Sequence, residues 1–121
     1  MNNDEINAYI KRRADDLFRF AFVLTVSDGG AAEILREAVS DMTAKNKWDR
    51  EGYETELFRA IYKRALKYRG EPMSRAAVCE KYGEKSEEFF ELLSKPLAER
   101  ARIHLSLYED LTDGEAAAIT G

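Results

Sequence analysis

The chain of 121 residues, 45% hydrophobic and 35% charged with thirteen aromatic side chains (six Phe, six Tyr, one Trp), can build one core or two small helical pieces with a linker. It excludes two full-sized domains and a disordered polymer. A formal net charge of −4 excludes a protein that coats nucleic acid non-specifically, and one cysteine, Cys79, with one histidine, His104, excludes an internal disulfide and a zinc site of nitrogen and sulfur ligands.

Met1 to Glu5 lacks a basic segment ahead of a long apolar run, and the best apolar stretch, Phe18 to Val26, is interrupted by Arg19. Neither a signal peptide nor a membrane span is expected, and the cysteine usage fits a reducing cytoplasm. Ile6, Ile10, Leu17, Phe20, Ala21 and Leu24 recur at three- and four-residue steps and predict a helix from about Glu5 to Thr25. Ser27 to Gly30 breaks it, with Ser27 or Asp28 available to cap a second helix over Ala31 to Asn46. Lys47 to Glu54 reads as a connection in which Trp48 and Tyr53 fold back as apolar anchors. A third helix is predicted over Thr55 to Arg69, with Gly70 as its stop.

Beyond it, Pro72 to Tyr82 reads as a short helix closed by Gly83, and Lys85 to Ser94 as a helix carrying Phe89, Phe90, Leu92 and Leu93. Ser94 can cap a helix through Tyr108, and Thr112 to Glu115 has capping-box spacing for a last helix, Asp113 to Ile119. No segment alternates apolar and polar residues long enough for a strand, so the expected class is all-α.

Four stretches resemble the extracytoplasmic-function (ECF) sigma factors, small bacterial initiation factors that guide RNA polymerase to promoters. Ala14 to Thr25 (ADDLFRFAFVLT) looks like the family's first conserved helix, and Ala31 to Val39 (AAEILREAV) is similar to its second, usually AEDLVQETF. Glu56 to Arg69 (ELFRAIYKRALKYR) is similar to WLFRIARNLALDYLR, the helix that opens the upstream hexamer. Here Trp has become Glu56, and Lys63 and Lys67 stand at the usual Asn and Asp. Leu92 to Gly121 looks like the family's second domain up to the first helix of its helix-turn-helix, with YEDLTDGEAAAITG as the most specific element.

The resemblance implies a three-helix region-two-like bundle over 1–70, a helical acidic linker over 71–93, and an incomplete region-four-like helix-turn-helix over 94–121, the chain reading as truncated before the recognition helix. It further implies a polymerase-binding face on the second helix, Glu33, Arg36, Glu37 and Asp41, docking on the largest subunit. The bland alternative for these residues is charge pairing within their own helix.

Arg59, Lys63, Arg64, Lys67 and Arg69 form a stripe with no acidic residue in it and are the candidate DNA-binding set, against the alternative of a solvated face. Tyr62 beside them could stack a base or sit on the surface. The acidic run Glu84 to Glu91 could thread a nucleic-acid channel, but its aromatic residues favour a helix packed on the core. His104 reads as a packed or surface histidine and Cys79 as a small core residue. No nucleotide, hydrolase or metalloprotease motif occurs, so neither an enzyme nor a cofactor nor a metal is expected.

Two functions fit these residues. One is a divergent ECF-type initiation protein binding RNA polymerase core and promoter DNA. The other is a sigma-like decoy that binds polymerase, a sigma factor or an anti-sigma factor without reading DNA. Leu111, Ala116 and Ile119, lacking a covering helix, predict a terminal segment that is disordered, repacked on the first three helices, or buried in a homodimer.

Overall fold

Seven α-helices and one short 3-10 turn make up the protein in a computed structural model, which describes Met1–Gly121 apart from the side chain of Ser86. The helices are α1 (Asn3–Thr25), α2 (Asp28–Ala44), α3 (Tyr53–Lys67), α4 (Arg75–Tyr82), α5 (Ser86–Leu93), α6 (Leu97–Tyr108) and α7 (Asp113–Thr120), with the 3-10 turn at Gly83–Lys85. Among the described residues there is no strand, and no helix is long and apolar enough to cross a membrane.

The helix ends follow local chemistry that the apolar periodicity leaves out. α1 begins two residues earlier than predicted because Asn2 and Glu5 form a capping box, the Glu5 N–H donating to Asn2 Oδ1 at 2.8 Å and the Asn2 N–H to Glu5 Oε1 at 3.2 Å. It ends on Val26 in the left-handed region, φ 53°, where a branched side chain is strained. Burial of Val26 and a hydrogen bond from the Met73 N–H to its carbonyl, 2.6 Å, hold it there. Ser27 caps α2, accepting from the Gly30 N–H at 3.0 Å.

α3 stops at Lys67, where Tyr68 turns extended, so Gly70 is not its stop as predicted. Gly70 and Gly30 instead flank the Tyr68 ring, and a Cβ on either would run into it. α4 starts at Arg75, three residues later than predicted, behind the Ser74 cap and beyond Pro72.

α1 is the central element, packed on α2, α3 and α6, while α7 lies against α3 and α6. Leu17, Phe20 and Ala21 of α1 share one core with Ile34, Ala38 and Met42 of α2 and with Leu57 and Ile61 of α3. Ala101 and Leu105 of α6 and Ala116 and Ile119 of α7 belong to that same core. The terminal segment therefore takes the repacked course among the three considered, with Ile119 only 2% exposed.

At one end, Tyr9, Trp48 and Tyr53 make an edge-on aromatic cluster, with Tyr9 and Tyr53 centroids 5.1 Å apart. Trp48 folds back as an anchor and donates its indole N–H to Thr43 Oγ1 at 3.1 Å. In the acidic segment, Phe89 stacks on Tyr82 at 4.3 Å and lies 5.9 Å from Phe22, so α5 packs through its aromatic face. Cys79 is exposed, contrary to its expected place in the core, because Val78 takes the inward position on α4.

Candidate functional site

Glu33 and Glu37 of α2 face Arg64, Lys67 and Arg69 across a cleft of about 400 Å³, whereas Asp41, Arg59 and Lys63 line a separate recess and Arg36 lines neither. Part of the face expected to serve polymerase and part of the face expected to serve DNA thus share one mixed-charge cleft. Residues one step before buried positions sit at a helix seam, and Glu37, Asp41 and Arg64 precede Ala38, Met42 and Ala65.

Arg64 is clamped across that seam. Its Nε and one terminal nitrogen donate to the two Asp41 oxygens at 2.7 and 2.6 Å, and its other terminal nitrogen donates to Glu37 Oε2 at 2.8 Å. This side-on fork is the strong geometry for arginine and carboxylate. The hydrogen bonds from Arg64 hold the Asp41 carboxyl below its ordinary value against the opposing effect of burial. Arg64 is therefore not a free phosphate ligand, as the α3 stripe implied. Glu37 and Asp41 pair between helices rather than within α2.

Arg59 is also engaged. Its Nε and one terminal nitrogen donate to the Ala118 carbonyl at 3.1 and 2.9 Å, and the other donates to Glu56 at 2.8 Å. The last carbonyls of α7 have no partner within the helix and α7 has no basic residue in its final turn, so Arg59 supplies the missing C-terminal cation from α3. Arg102 adds a second tie, to Thr120 Oγ1 at 2.8 Å.

Glu56 also meets Lys47 at 3.2 Å; burial acts to raise its carboxyl, and Lys47 with Arg59 outweighs that and leaves it low. With Arg59→Gln, amide exchange over the last turn of α7 should accelerate about tenfold, the worth of a charged hydrogen bond to that carbonyl. Exchange by mass spectrometry or NMR checks this, and unchanged protection there would show that the tie carries nothing.

The free cations are fewer than predicted. Lys63 and Lys67 are exposed and outside these ion pairs, while Arg69 donates to the Leu66 and Tyr68 carbonyls of its own helix end, at 3.0 and 3.1 Å. Lys45, which a stripe confined to α3 leaves out because it closes α2, lines a small recess beside Lys63 and Arg59. Its lysine-rich setting, Lys45-Asn46-Lys47, is the signal in the sequence that points to it. Glu33 and Arg36 are both exposed on α2. Tyr62 is buried at 5% exposure, which removes it as a base-stacking platform.

Among the described residues no group of three His, Cys, Asp or Glu side chains is placed to hold a metal ion. The surface joining α2 and α3 can offer three lysines to an acidic partner and Glu33 with Arg36 to a polar one. No family model, no curated protein and no solved structure matches the chain.

Proposed function

We propose that the chain is a sigma-like protein of the ECF type that acts by binding RNA polymerase, with three helices of the region-two kind, α1 to α3, presenting the docking surface. In this reading Glu33 and Arg36 on α2 make the polymerase contact, and Lys45, Lys63, Lys67 and Arg69 supply a limited, phosphate-directed contact with promoter DNA. Phosphate contacts position a protein on DNA, whereas sequence is read at base edges. The function is binding, with no chemical step.

One observation favours the decoy form of this reading, in which polymerase, a sigma factor or an anti-sigma factor is bound without DNA. Arg59 and Arg64, two of the five stripe cations, are held by Ala118, Glu56, Glu37 and Asp41. Cations paired in this way are withdrawn from a phosphate backbone, which leaves Lys63, Lys67 and Arg69 of the stripe to reach one.

The test is a pull-down of purified chain with core RNA polymerase beside a promoter-fragment shift at low salt. Polymerase capture is expected in the initiation form, and capture of polymerase, a sigma factor or an anti-sigma factor in the decoy form. Lys63→Glu with Lys67→Glu should leave capture unchanged and, in the initiation form, weaken the shift about a hundredfold at low salt, since each lysine that neutralises a phosphate releases its own counterion. Absence of polymerase capture overturns the initiation form, and absence of capture by polymerase, sigma and anti-sigma alike overturns both.

A further inference from the structure

A groove of about 590 Å³, sharing no lining residue with the α2–α3 cleft, lies between α1, α5 and α6, within the size range of small-molecule sites. Its walls include Val23, Phe89, Leu92, Leu107 and Tyr108. Leu107 and Tyr108 are 70% and 56% exposed, large apolar groups turned outward on a helix whose Ala101, His104 and Leu105 are buried.

At the base of the groove lies His104, 1% exposed, with both Nδ1 and Nε2 lacking a hydrogen-bond partner among the described residues. Its ring stacks on Tyr108 at 4.7 Å and lies 5.6 Å from Phe20. A buried polar group left unpaired is a standing cost that leucine at the same place would avoid. A neutral imidazole there offers one donor and one acceptor beside the half-exposed ring of Tyr108.

The charge at the mouth has a sign. Arg19, Lys85 and Lys95 line the groove against Glu88 and Glu91. Arg19 sits over the Tyr108 ring at 5.2 Å, and its nearest carboxylate, Asp16, is 3.9 Å away, so its guanidinium lacks a close partner. Flat walls, a cation beside a stacked imidazole, and an unpaired N–H together fit an aromatic acid.

We infer that this groove binds a flat aromatic molecule bearing one carboxylate, its ring lying among Phe89, Leu92, Leu107 and Tyr108 and its carboxylate between Arg19 and the His104 imidazole. This site is independent of the polymerase-binding reading.

The probe is 2-naphthoate titrated into the full chain at pH 7, followed by amide NMR shifts, with naphthalene-2-carboxamide as its neutral isostere. A saturable one-to-one isotherm is expected, with shifts concentrated at Phe89, His104 and Leu107. The carboxamide should bind about tenfold more weakly, the worth of a charge-assisted hydrogen bond. Arg19→Gln should erase the difference between the two probes without weakening the carboxamide.

His104→Leu should do the same. If that variant fails to fold, Leu92→Trp, at a partly buried wall position, should fill the groove and abolish binding of both probes with the melting temperature unchanged. Equal affinity for the two probes, shifts scattered away from the groove, or no saturation would overturn the assignment. So would sedimentation showing a dimer with Leu107 at its interface, since a second copy would then be the occupant.

Discussion

Replacing Phe20 with alanine is expected to lower stability by about 3–5 kcal/mol, the cost of emptying a fully enclosed aromatic position. Phe20 is 0% exposed, meets Phe58 of α3 edge-on at 5.2 Å and lies 5.6 Å from His104 of α6. One ring of α1 therefore meets both α3 and α6, and the void left by alanine borders both neighbours. Against a net stability of about 5–15 kcal/mol for domains of this kind, the loss is a large share. With urea slopes of about 1–3 kcal/mol per molar, the unfolding midpoint should fall by roughly 2 M. A fall of less than about 0.5 M would mean that α6 is not seated on α1 in solution.

The second large effect is a loss of stability in mild acid. Burial, reinforced by Arg19 and opposed by Asp16, pushes the His104 imidazole down to about 4 from its ordinary 6.5. The unfolded chain thus takes up a proton at a pH where the folded chain refuses it. Stability is fully present above pH 6.5 and is lost progressively as pH falls toward 4, by about 3 kcal/mol in all. The limiting slope is about 1.4 kcal/mol per pH unit, one proton's worth.

Carboxylates titrate near the lower end of that window, so the interval from about 6.5 to about 5 belongs to the histidine. Urea melts at pH 7, 6 and 5 check the slope, and His104→Phe should flatten it. A wild-type profile already flat over that interval would show that His104 is solvated in the folded state.

Much of the helical framework is legible in the sequence because its signals are local. The period of Leu17, Phe20, Ala21 and Leu24 marks the buried side of α1, and Thr112 with Glu115 forms the capping box that the spacing announces, the Glu115 N–H donating to Thr112 Oγ1 at 3.2 Å. The start of α1 lies outside the predicted span because a cap by Asn2 has no apolar residue to advertise it.

The candidate site is less legible. A helical wheel places Arg64 on the stripe with Lys63 and Lys67, but two acids 23 and 27 positions away claim it. Arg59 is spent on a carbonyl 59 positions away. Such pairings are fixed by which helices lie side by side, and a pattern confined to one helix carries no trace of them. The same reason applies to His104, whose place next to the buried stripe of α6 is visible in the sequence but whose neighbours Phe20 and Arg19 belong to α1.

Trp48 gives the molecule an internal spectroscopic handle. It is the single indole in the sequence, 3% exposed, tied to Thr43 and surrounded by Tyr9 and Tyr53. Tyr9 and Phe20 stand eleven residues apart on α1, roughly 16 Å along the axis at about 1.5 Å per residue. Tryptophan emission therefore watches one pole of the bundle, while the histidine ring signals in an NMR spectrum watch the other. Melting the two together, or one before the other, would tell whether α1 transmits unfolding along its whole length as a single cooperative rod.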